Sequence, residues 1–403
     1  MTLPANSMIS MHALLAGARR KQPGLIAFAR ELVKAESPSD IKTAVDACLA
    51  LAAARASKLG GRVKIHRQPD FGNVLELRFG PRKPAKHGQK PILLLGHLDT
   101  VWPLGTLKTM PCRVSEGRLW GPGTLDMKAG VAMAFTAVEM LTEAGLLQRE
   151  IVVLLNGDEE IGSTASRPIT EKIARSCSTV YVLEPAQGLA YKTARKGIGI
   201  WHVEVEGVAA HAGVDFEKGA NAIRELARVV EKVSGWTDLK RGLTVSVGVA
   251  GGGTKSNVIP AHAWAEVEAR IVRRADGPRI ERQFAGLKSQ DPRCTLTITG
   301  GINRPPMERS PGTVRLFRQA QALARDLGFD LDEAASGGGS DGNFTAALGI
   351  PTLDGMGAVG EGAHARHESV LVEHLAPRTA LLAGMLIDWP VGLNPSSLIN
   401  SHG

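Results

Sequence analysis

Short, uninterrupted apolar runs recur along the chain and are separated by a stretch of helical periodicity. Ile92–Leu95 and Ile151–Leu155 consist of Ile, Leu and Val, and Lys128–Leu147 between them places apolar residues at helical spacing. Continuous apolar strands joined by a helix are typical of a mostly parallel sheet with helices on both faces. The pattern therefore predicts an α/β domain, with further strands at Val180–Leu183 and Ile350–Leu353.

The pattern changes after Gly197, where alternating apolar and polar residues predict half-buried strands. Strands and helices follow in the order βαββαβ, which is the ferredoxin-like arrangement. Chemically interesting residues lie on both sides of this segment, so we predict an inserted domain at 196–307 and a domain formed by 1–195 and 308–403. The predicted elements of the inserted domain are Ile198–Val205, Gly219–Val233, Leu243–Val249, Ala261–Val272, Pro278–Ser289 and Cys294–Thr299.

Composition and charge exclude several classes of protein. The 403 residues include 43% hydrophobic residues, enough for large cores, but the apolar runs are too short for a membrane span. The net charge of +8 comes from scattered basic residues without interleaved aromatics, which argues against a nucleic-acid partner. Four widely spaced cysteines argue against a disulfide scaffold. Met1–Gln22 lacks the pattern of a signal peptide, so we expect a cytoplasmic protein.

Acidic residues and histidines follow the predicted strands and a Gly-Pro-Gly turn. Parallel sheets place their sites at the carboxyl ends of strands, and imidazole and carboxylate groups are the ligands of hydrolytic zinc sites. Together these residues predict a two-metal site, which needs a bridging carboxylate and ligands on each ion. The residues are His97, Asp99, Asp126, Glu159, Glu160, Glu184 and His364.

Several of these positions also suggest individual roles. Asp126 directly precedes a helix, so it is either a helix cap or the bridging carboxylate. Asp99 can accept the second imidazole N–H of His97. Of the adjacent residues Glu159 and Glu160, one can bind a metal while the other takes a proton from the attacking water. A buried, unpaired Glu184 carboxylate would be costly without a cation.

The order of these residues resembles the zinc metallopeptidase family that includes glutamate carboxypeptidase, acetylornithine deacetylase and succinyl-diaminopimelate desuccinylase. Glu184, Arg195–Gly197 and Ser336–Asp341 are most similar to the glutamate carboxypeptidase branch. The resemblance implies two Zn²⁺ ions per chain, with Co²⁺ or Mn²⁺ as possible substitutes, and a cis bond between Asp126 and Met127. It also implies that Asp126 bridges the ions, that His97 and Glu184 complete one and Glu160 and His364 the other, that Glu159 is the general base and acid, and that Asp99 supports His97.

The same resemblance implies roles for the inserted domain as a lid and a dimerisation domain. His211 is similar to a histidine that reaches across a homodimer to stabilise the oxyanion in the partner's site. Asn257 and Arg270 resemble residues that hold the terminal carboxylate of the substrate, and Arg304 lies near the position of another such arginine. Gly339 lies in a glycine run suited to close approach of substrate to the backbone. From the residues alone, Arg270 could instead pair with Glu266 or Glu268 across the sheet.

The expected function is therefore that of a di-zinc hydrolase acting on a small peptide or an N-acyl amino acid. It would cleave the amide bond before a C-terminal, glutamate-like residue, and an N-acyl amino acid deacylase of the same family is the alternative. A serine esterase is a third possibility, because 338–342 matches G-x-S-x-G around Ser340, and Asp354 and His364 follow. The weakly apolar segment Leu331–Ala335 before the serine argues against it, and a binding protein without catalysis would leave the complete ligand set unused.

Overall fold

The computed structural model describes residues 10–82 and 89–389. Residues 1–9 and 390–403, the two ends of the predicted catalytic domain, lie outside these described residues. Residues 1–9 are also part of Met1–Gln22, the segment that lacks a signal-peptide pattern. No helix within the described residues is both long and apolar enough to cross a membrane. The α-helices of the described residues are α1 (Met11–Lys34), α2 (Lys42–Lys58), α3 (Ala129–Glu143), α4 (Arg167–Arg175), α5 (Ala222–Ser234), α6 (Gly277–Ala285), α7 (Pro311–Asp326), α8 (Gly342–Ala347) and α9 (Val372–Met385).

The strands vary from two to ten residues. They are β1 (Arg62–His66), β2 (Val74–Phe79), β3 (Ile92–His97), β4 (Arg113–Ser115), β5 (Arg118–Trp120), β6 (Ile151–Asn156), β7 (Thr179–Val182), β8 (Tyr191–Arg195), β9 (Gly197–Glu206), β10 (Ala210–His211), β11 (Thr244–Gly252), β12 (Val258–Ile259), β13 (His262–Ile271), β14 (Thr295–Arg304), β15 (Glu333–Ser336), β16 (Thr352–Leu353), β17 (Gly360–Glu361) and β18 (Ser369–Leu371).

Contacts divide the chain into two compact units. The first unit comprises 1–193, 309–335 and 340–403, and the second comprises 194–308 and 336–339. The chain therefore passes from one unit to the other four times, after residues 193, 308, 335 and 339.

The first unit is built on a six-stranded sheet in the order β1-β2-β6-β3-β7-β16. Strands β6, β3, β7 and β16 are parallel to one another, whereas β1 and β2 add antiparallel neighbours at one edge. Leu94 and Val153 pack in the core that includes α1, α3 and α9, and Leu93 and Val152 pack in the core that includes α4. Alternate side chains of each buried strand thus contact helices on opposite faces, which confirms the predicted α/β class.

The second unit contains an antiparallel sheet in the order β11-β13-β9-β14. Its chain order is βαββαβ when the two-residue strands β10 and β12 are set aside, so the predicted ferredoxin-like arrangement is confirmed. Val203 and Val267 are buried with residues of α5 and α6, whereas Glu204 and Glu268 lie on the other face of the sheet. The alternation of apolar and polar residues is what gives this sheet one covered face.

Candidate metal centre

His97 is the last residue of β3, and its imidazole is almost completely buried, with 1% of the side chain exposed. Its Nδ1 lies 3.0 Å from the backbone carbonyl oxygen of Asp99, which can only accept a hydrogen bond. Nδ1 therefore carries the proton in the neutral ring, and Nε2 is left to face acidic groups. Those groups are Asp126, with Oδ1 at 3.3 Å, and Glu184, with Oε1 at 3.6 Å.

The carboxylate of Asp126 lies between two imidazoles. Its Oδ1 is the oxygen nearest His97, and its Oδ2 lies 3.4 Å from Nε2 of His364. That same nitrogen of His364 is 3.2 Å from Oε2 of Glu160. The Asp126–Met127 peptide bond is cis, as the family resemblance implied, and His364 has a left-handed φ of 61°. One carboxylate that faces a different histidine with each oxygen has the form of a bridging ligand.

Within 10–82 and 89–389, the part of the chain that the structure describes, two groups of three side chains are close enough to hold a metal ion. In each group one ligand atom per residue lies within 4.8 Å of the others, and the groups are His97, Asp126 and Glu160, and His97, Glu159 and Glu184. Imidazole nitrogen and carboxylate oxygen, without thiolate, suit a hydrolytic zinc ion or its Co²⁺ and Mn²⁺ substitutes. The donor set therefore fits the metals that the sequence implied.

The charges of the site favour a cation. Hydrogen bonds to Asp126 and Glu160 raise the pKa of His364 to about 10. Burial would lower the pKa of His97, but its contacts with Asp126, Asp99 and Glu184 raise it well above the ordinary value. Burial would likewise raise the pKa of Asp126, and the two imidazoles instead hold it well below its usual range. The carboxylates therefore stabilise positive charge on the neighbouring imidazoles, and the same negative charge attracts a metal ion.

Asp99 organises the loop that carries the two adjacent glutamates. Its carboxylate accepts the backbone N–H groups of Glu159 at 3.1 Å and Glu160 at 3.0 Å, and the Ser39 hydroxyl at 2.7 Å. Oδ1 of the same carboxylate is 3.4 Å from Nδ1 of His97, farther than the backbone carbonyl. Asp99 thus lies beside His97 and contacts it chiefly through the backbone carbonyl, and its side chain fixes the Glu159–Ile161 turn.

Glu368 is a buried residue of the site that the sequence analysis missed. It lies four positions after His364, and its carboxylate accepts N–H groups from the turn that precedes Asp126 and from Trp102. Burial raises its pKa to about 7, against the effect of these donors. An acidic residue so soon after a histidine gives little signal by itself, because the groups it binds are more than two hundred positions away in the sequence.

His211 is exposed in the second unit, immediately before a short loop. Its Nδ1 accepts the backbone N–H groups of Gly213 at 3.1 Å and Val214 at 3.2 Å. The neutral imidazole therefore carries its proton on Nε2, which makes that nitrogen a donor. Asn257 is placed close by, because its carbonyl accepts the N–H of Ala212 at 2.9 Å where β10 pairs with β12.

Arg270 contacts an acidic neighbour on its own strand. Its Nε and Nη2 donate to the two carboxylate oxygens of Glu268, at 2.7 and 2.8 Å, and Nη1 donates to the carbonyl of Gly337 at 3.2 Å. Of the two pairings left open by the sequence, the structure has the one with Glu268. The pair lies along one strand, two positions apart, and not across the sheet.

The glycine run next to Arg270 is tightly packed. Buried Arg195 donates to the carbonyls of Gly338 and Gly339, both at 3.2 Å. A Cβ atom on Gly339 would lie 2.8 Å from Ile198 and 2.9 Å from Cδ of Arg304, so no larger residue fits without displacement. The structure thus brings Arg270, Arg304 and Gly339 to one region of the second unit.

Ser340 has no arrangement for nucleophilic catalysis. It is fully buried, its hydroxyl donates directly to Asp354 at 2.6 Å, and its Oγ accepts the N–H of Gly342. Nε2 of His364 faces Asp126 and Glu160. A serine esterase requires a histidine between the serine and the acid, and the direct bond between Ser340 and Asp354 is incompatible with that order.

Comparisons with known proteins bear on the family and on the fold of the chain. A sequence model of peptidase family M20/M25/M40 matches residues 93–388. Carboxypeptidase G2 from Pseudomonas sp. (strain RS-16) is 29% identical over 384 residues, covering 93% of this chain and 91% of that protein. Acetylornithine deacetylase from Myxococcus xanthus is 28% identical over 309 residues, covering 73% and 79%. The crystal structure of aminopeptidase PepT from Bacillus cereus ATCC 10987 has the same fold, with a TM-score of 0.74 at 24% identity and coverage of 91% and 98%.

Proposed function

Because the chain belongs to peptidase family M20/M25/M40 and is a hydrolytic metalloenzyme for peptide-like bonds, we propose that it is a di-zinc amidohydrolase of the carboxypeptidase type. Its substrate would be a small peptide or N-acyl amino acid with a free terminal carboxylate, and the released residue would be acidic and glutamate-like. Residues 1–195 and 308–403 would form the catalytic domain, and 196–307 the lid and dimerisation domain.

The position of Asp126 between His97 and His364 is the observation that carries the proposal. Asp126 would bridge two zinc ions, with His97 and Glu184 on one and Glu160 and His364 on the other. When bound, the ions would acidify the attacking water and polarise the scissile carbonyl. This pairing is supported by the contacts of His97 with Glu184 and of His364 with Glu160.

Glu159 would be the general base and general acid. Its backbone N–H is held by the Asp99 carboxylate, so the position of its main chain is fixed next to Glu160. The Glu159 side chain would take a proton from the attacking water and deliver it to the leaving nitrogen. Asp99 would support this step by fixing the turn, besides orienting His97 through its backbone carbonyl.

Substrate recognition would lie in the second unit. Arg270 and Asn257 would bind the terminal carboxylate, with Arg304 and Gly339 beside them. Glu268 uses the Nε side of the Arg270 guanidinium, which leaves one N–H on each terminal nitrogen for another acceptor. The second candidate is an N-acyl amino acid deacylase that recognises a group other than this carboxylate. It is favoured by the pairing of Arg270 with Glu268 and by the likeness to acetylornithine deacetylase.

A homodimer through the second unit would complete each site. His211 has its Nε2 proton directed away from its own loop contacts, which suits a donor to an oxyanion in a partner's site. β11 is an edge strand of its sheet, and Val249 on it and Ile223 on α5 are exposed apolar residues. An edge strand with exposed apolar neighbours suits pairing with a second copy.

The test is a panel of N-acyl amino acids and dipeptides, each assayed for release of the free amino acid with and without a chelator. We expect fastest release of acidic C-terminal residues, loss of turnover with the chelator, and recovery with zinc. A preference for one acyl group with indifference to the released residue would favour the deacylase. Turnover that resists the chelator and is blocked by a serine-directed reagent would reject both candidates.

A further inference from the structure

Glu368 lies in the segment between β17 and β18, and its side chain is completely inaccessible to solvent. No Lys, Arg or His among the described residues forms an ion pair with it. A buried carboxylate without an ion pair is expensive unless hydrogen bonds replace its hydration. The nearby Lys128 ammonium instead donates to the carbonyl of Ala35 at 2.9 Å.

Four N–H groups replace that hydration, two on each oxygen of Glu368. Oε1 accepts the backbone N–H groups of Leu125 at 2.8 Å and Asp126 at 3.1 Å. Oε2 accepts the backbone N–H of Gly123 and Nε1–H of Trp102, both at 2.9 Å. All four contacts are donors, so only the carboxylate form can accept all of them, and its two oxygens then have no lone pair left for a metal.

These four bonds join three segments of the candidate metal centre. Gly123, Leu125 and Asp126 form the turn that presents the Asp126 carboxylate, and Trp102 follows Asp99 on the chain. Glu368 itself follows His364 by four positions. We infer that Glu368 is a positioning residue, which fixes the backbone at Asp126 and so directs that carboxylate to face both histidines. This inference rests on the proposed metal function of Asp126.

The arrangement requires a carboxylate of this length. A glutamine would replace one oxygen with an NH₂ group that meets two N–H donors, so at least two of the four bonds would become repulsive contacts. An aspartate is one methylene shorter and would not reach all four donors. Either replacement would let the turn at Asp126 move, although neither changes a predicted metal ligand.

The experiment is a titration of the full-length, metal-free protein with Co²⁺ in competition with a chelator, followed by the visible absorption of the bound ion. Glu368→Gln should bind Co²⁺ at least about ten-fold more weakly and show an altered spectrum, as expected for residues that orient metal ligands. Glu361→Gln is the matched control, since Glu361 is an exposed residue on β17 that pairs with Arg118 at 2.9 Å. The control should titrate like the wild-type protein.

Glu368→Asp is a second variant, included in case Glu368→Gln does not fold. It keeps the charge and should fold, with Co²⁺ affinity between those of the wild type and Glu368→Gln. A folded variant of either kind with wild-type affinity and spectrum would overturn the inference, and so would failure of both to fold, because Glu368 would then be needed for folding as such. If the wild-type protein itself bound no Co²⁺, the proposed function would fail before Glu368 was tested.

Discussion

Arg270 and Glu268, two positions apart on β13, form a bidentate ion pair with N–O distances of 2.7 and 2.8 Å. A substrate carboxylate that binds Arg270 would therefore approach a guanidinium that already has one acidic partner. The pair keeps the guanidinium oriented, and it also places a negative charge beside the proposed carboxylate site. Both effects bear on the specificity proposed for this enzyme.

Arg270→Ala should raise KM for substrates with a free terminal carboxylate by at least about ten-fold, with a smaller change in kcat. Part of that loss would come from Glu268, which would be left unpaired next to the substrate. The double variant Arg270→Ala/Glu268→Ala should therefore recover some affinity relative to the single variant. Steady-state kinetics on a substrate and its C-terminal amide is the measurement, with exposed Arg279→Ala as the control. Equal cleavage of acid and amide by the wild type would contradict the role of Arg270.

Glu159→Gln should retain the fold and the bound metals and lose kcat by at least about 10²-fold, as expected when a general base is removed. Glu160→Gln, one position later, should instead lower the zinc content, because Glu160 contacts His364 as a proposed ligand. Metal analysis and kcat measured on both variants separate the two roles. A Glu159→Gln enzyme with near wild-type turnover would assign the base elsewhere.

Dialysis against a chelator should abolish activity, and zinc should restore it at about two ions per chain. The reason is that Asp126 faces a different histidine with each carboxylate oxygen, so it can join one ion at His97 to a second at His364. Metal content by elemental analysis, plotted against recovered activity, gives the stoichiometry. Saturation at one ion per chain would remove the bridging role of Asp126, and full activity of the metal-free protein would reject the metal centre.

Metal binding should release protons at neutral pH. The pKa of His364 is raised to about 10 and that of His97 well above its ordinary value. Both imidazoles are therefore in the cationic form at pH 7 in the metal-free protein, with a proton on each ring nitrogen. Each must lose that proton to ligate, so apparent affinity should rise with pH until these pKa values are passed. Calorimetry in buffers of different ionisation enthalpy counts the protons released. Affinity that stays constant from pH 6 to pH 8 would count against ligation by these histidines.

Complementation tests the proposed role of His211 in a partner's site. A His211→Ala chain mixed with a Glu159→Gln chain should regain activity after subunit exchange, because each mixed dimer holds one site with both residues intact. The recovered rate should approach about half that of the wild-type dimer per mixed dimer. Exchange would be followed with differently tagged chains. Demonstrated exchange without recovery would show that His211 does not act across a dimer.

The proposed ligands can be predicted from the sequence because each follows an apolar strand or a glycine turn. His97 and the loop at Glu159 end neighbouring parallel strands, β3 and β6, which the structure pairs through His97 and Asn156. Parallel pairing brings such strand ends together, so distance in sequence does not hide the site. Glu368 could not be found in this way, because its partners are backbone N–H groups and any residue supplies those.

The boundaries of elements were predicted less well, for local reasons. The helix predicted at Lys128–Leu147 is observed as Ala129–Glu143. It ends before Gly145, which has a left-handed φ of 68° that terminates an α-helix. The strand predicted at Ile350–Leu353 is reduced to Thr352–Leu353. Pro351 lacks the N–H that a strand ladder needs, although its carbonyl accepts the N–H of Val180.

Ser336–Gly339 belong to the second unit, although the residues before and after them belong to the first. This matters when the second unit is produced as an isolated fragment. A fragment cut as 194–308 would lack the three carbonyls to which Arg195 and Arg270 donate, and both guanidinium groups would lose those acceptors. Such a fragment would present Arg270 in a setting that the intact protein does not have. Peptide-binding studies of the isolated unit therefore need a single polypeptide in which a linker joins 194–308 to 336–339.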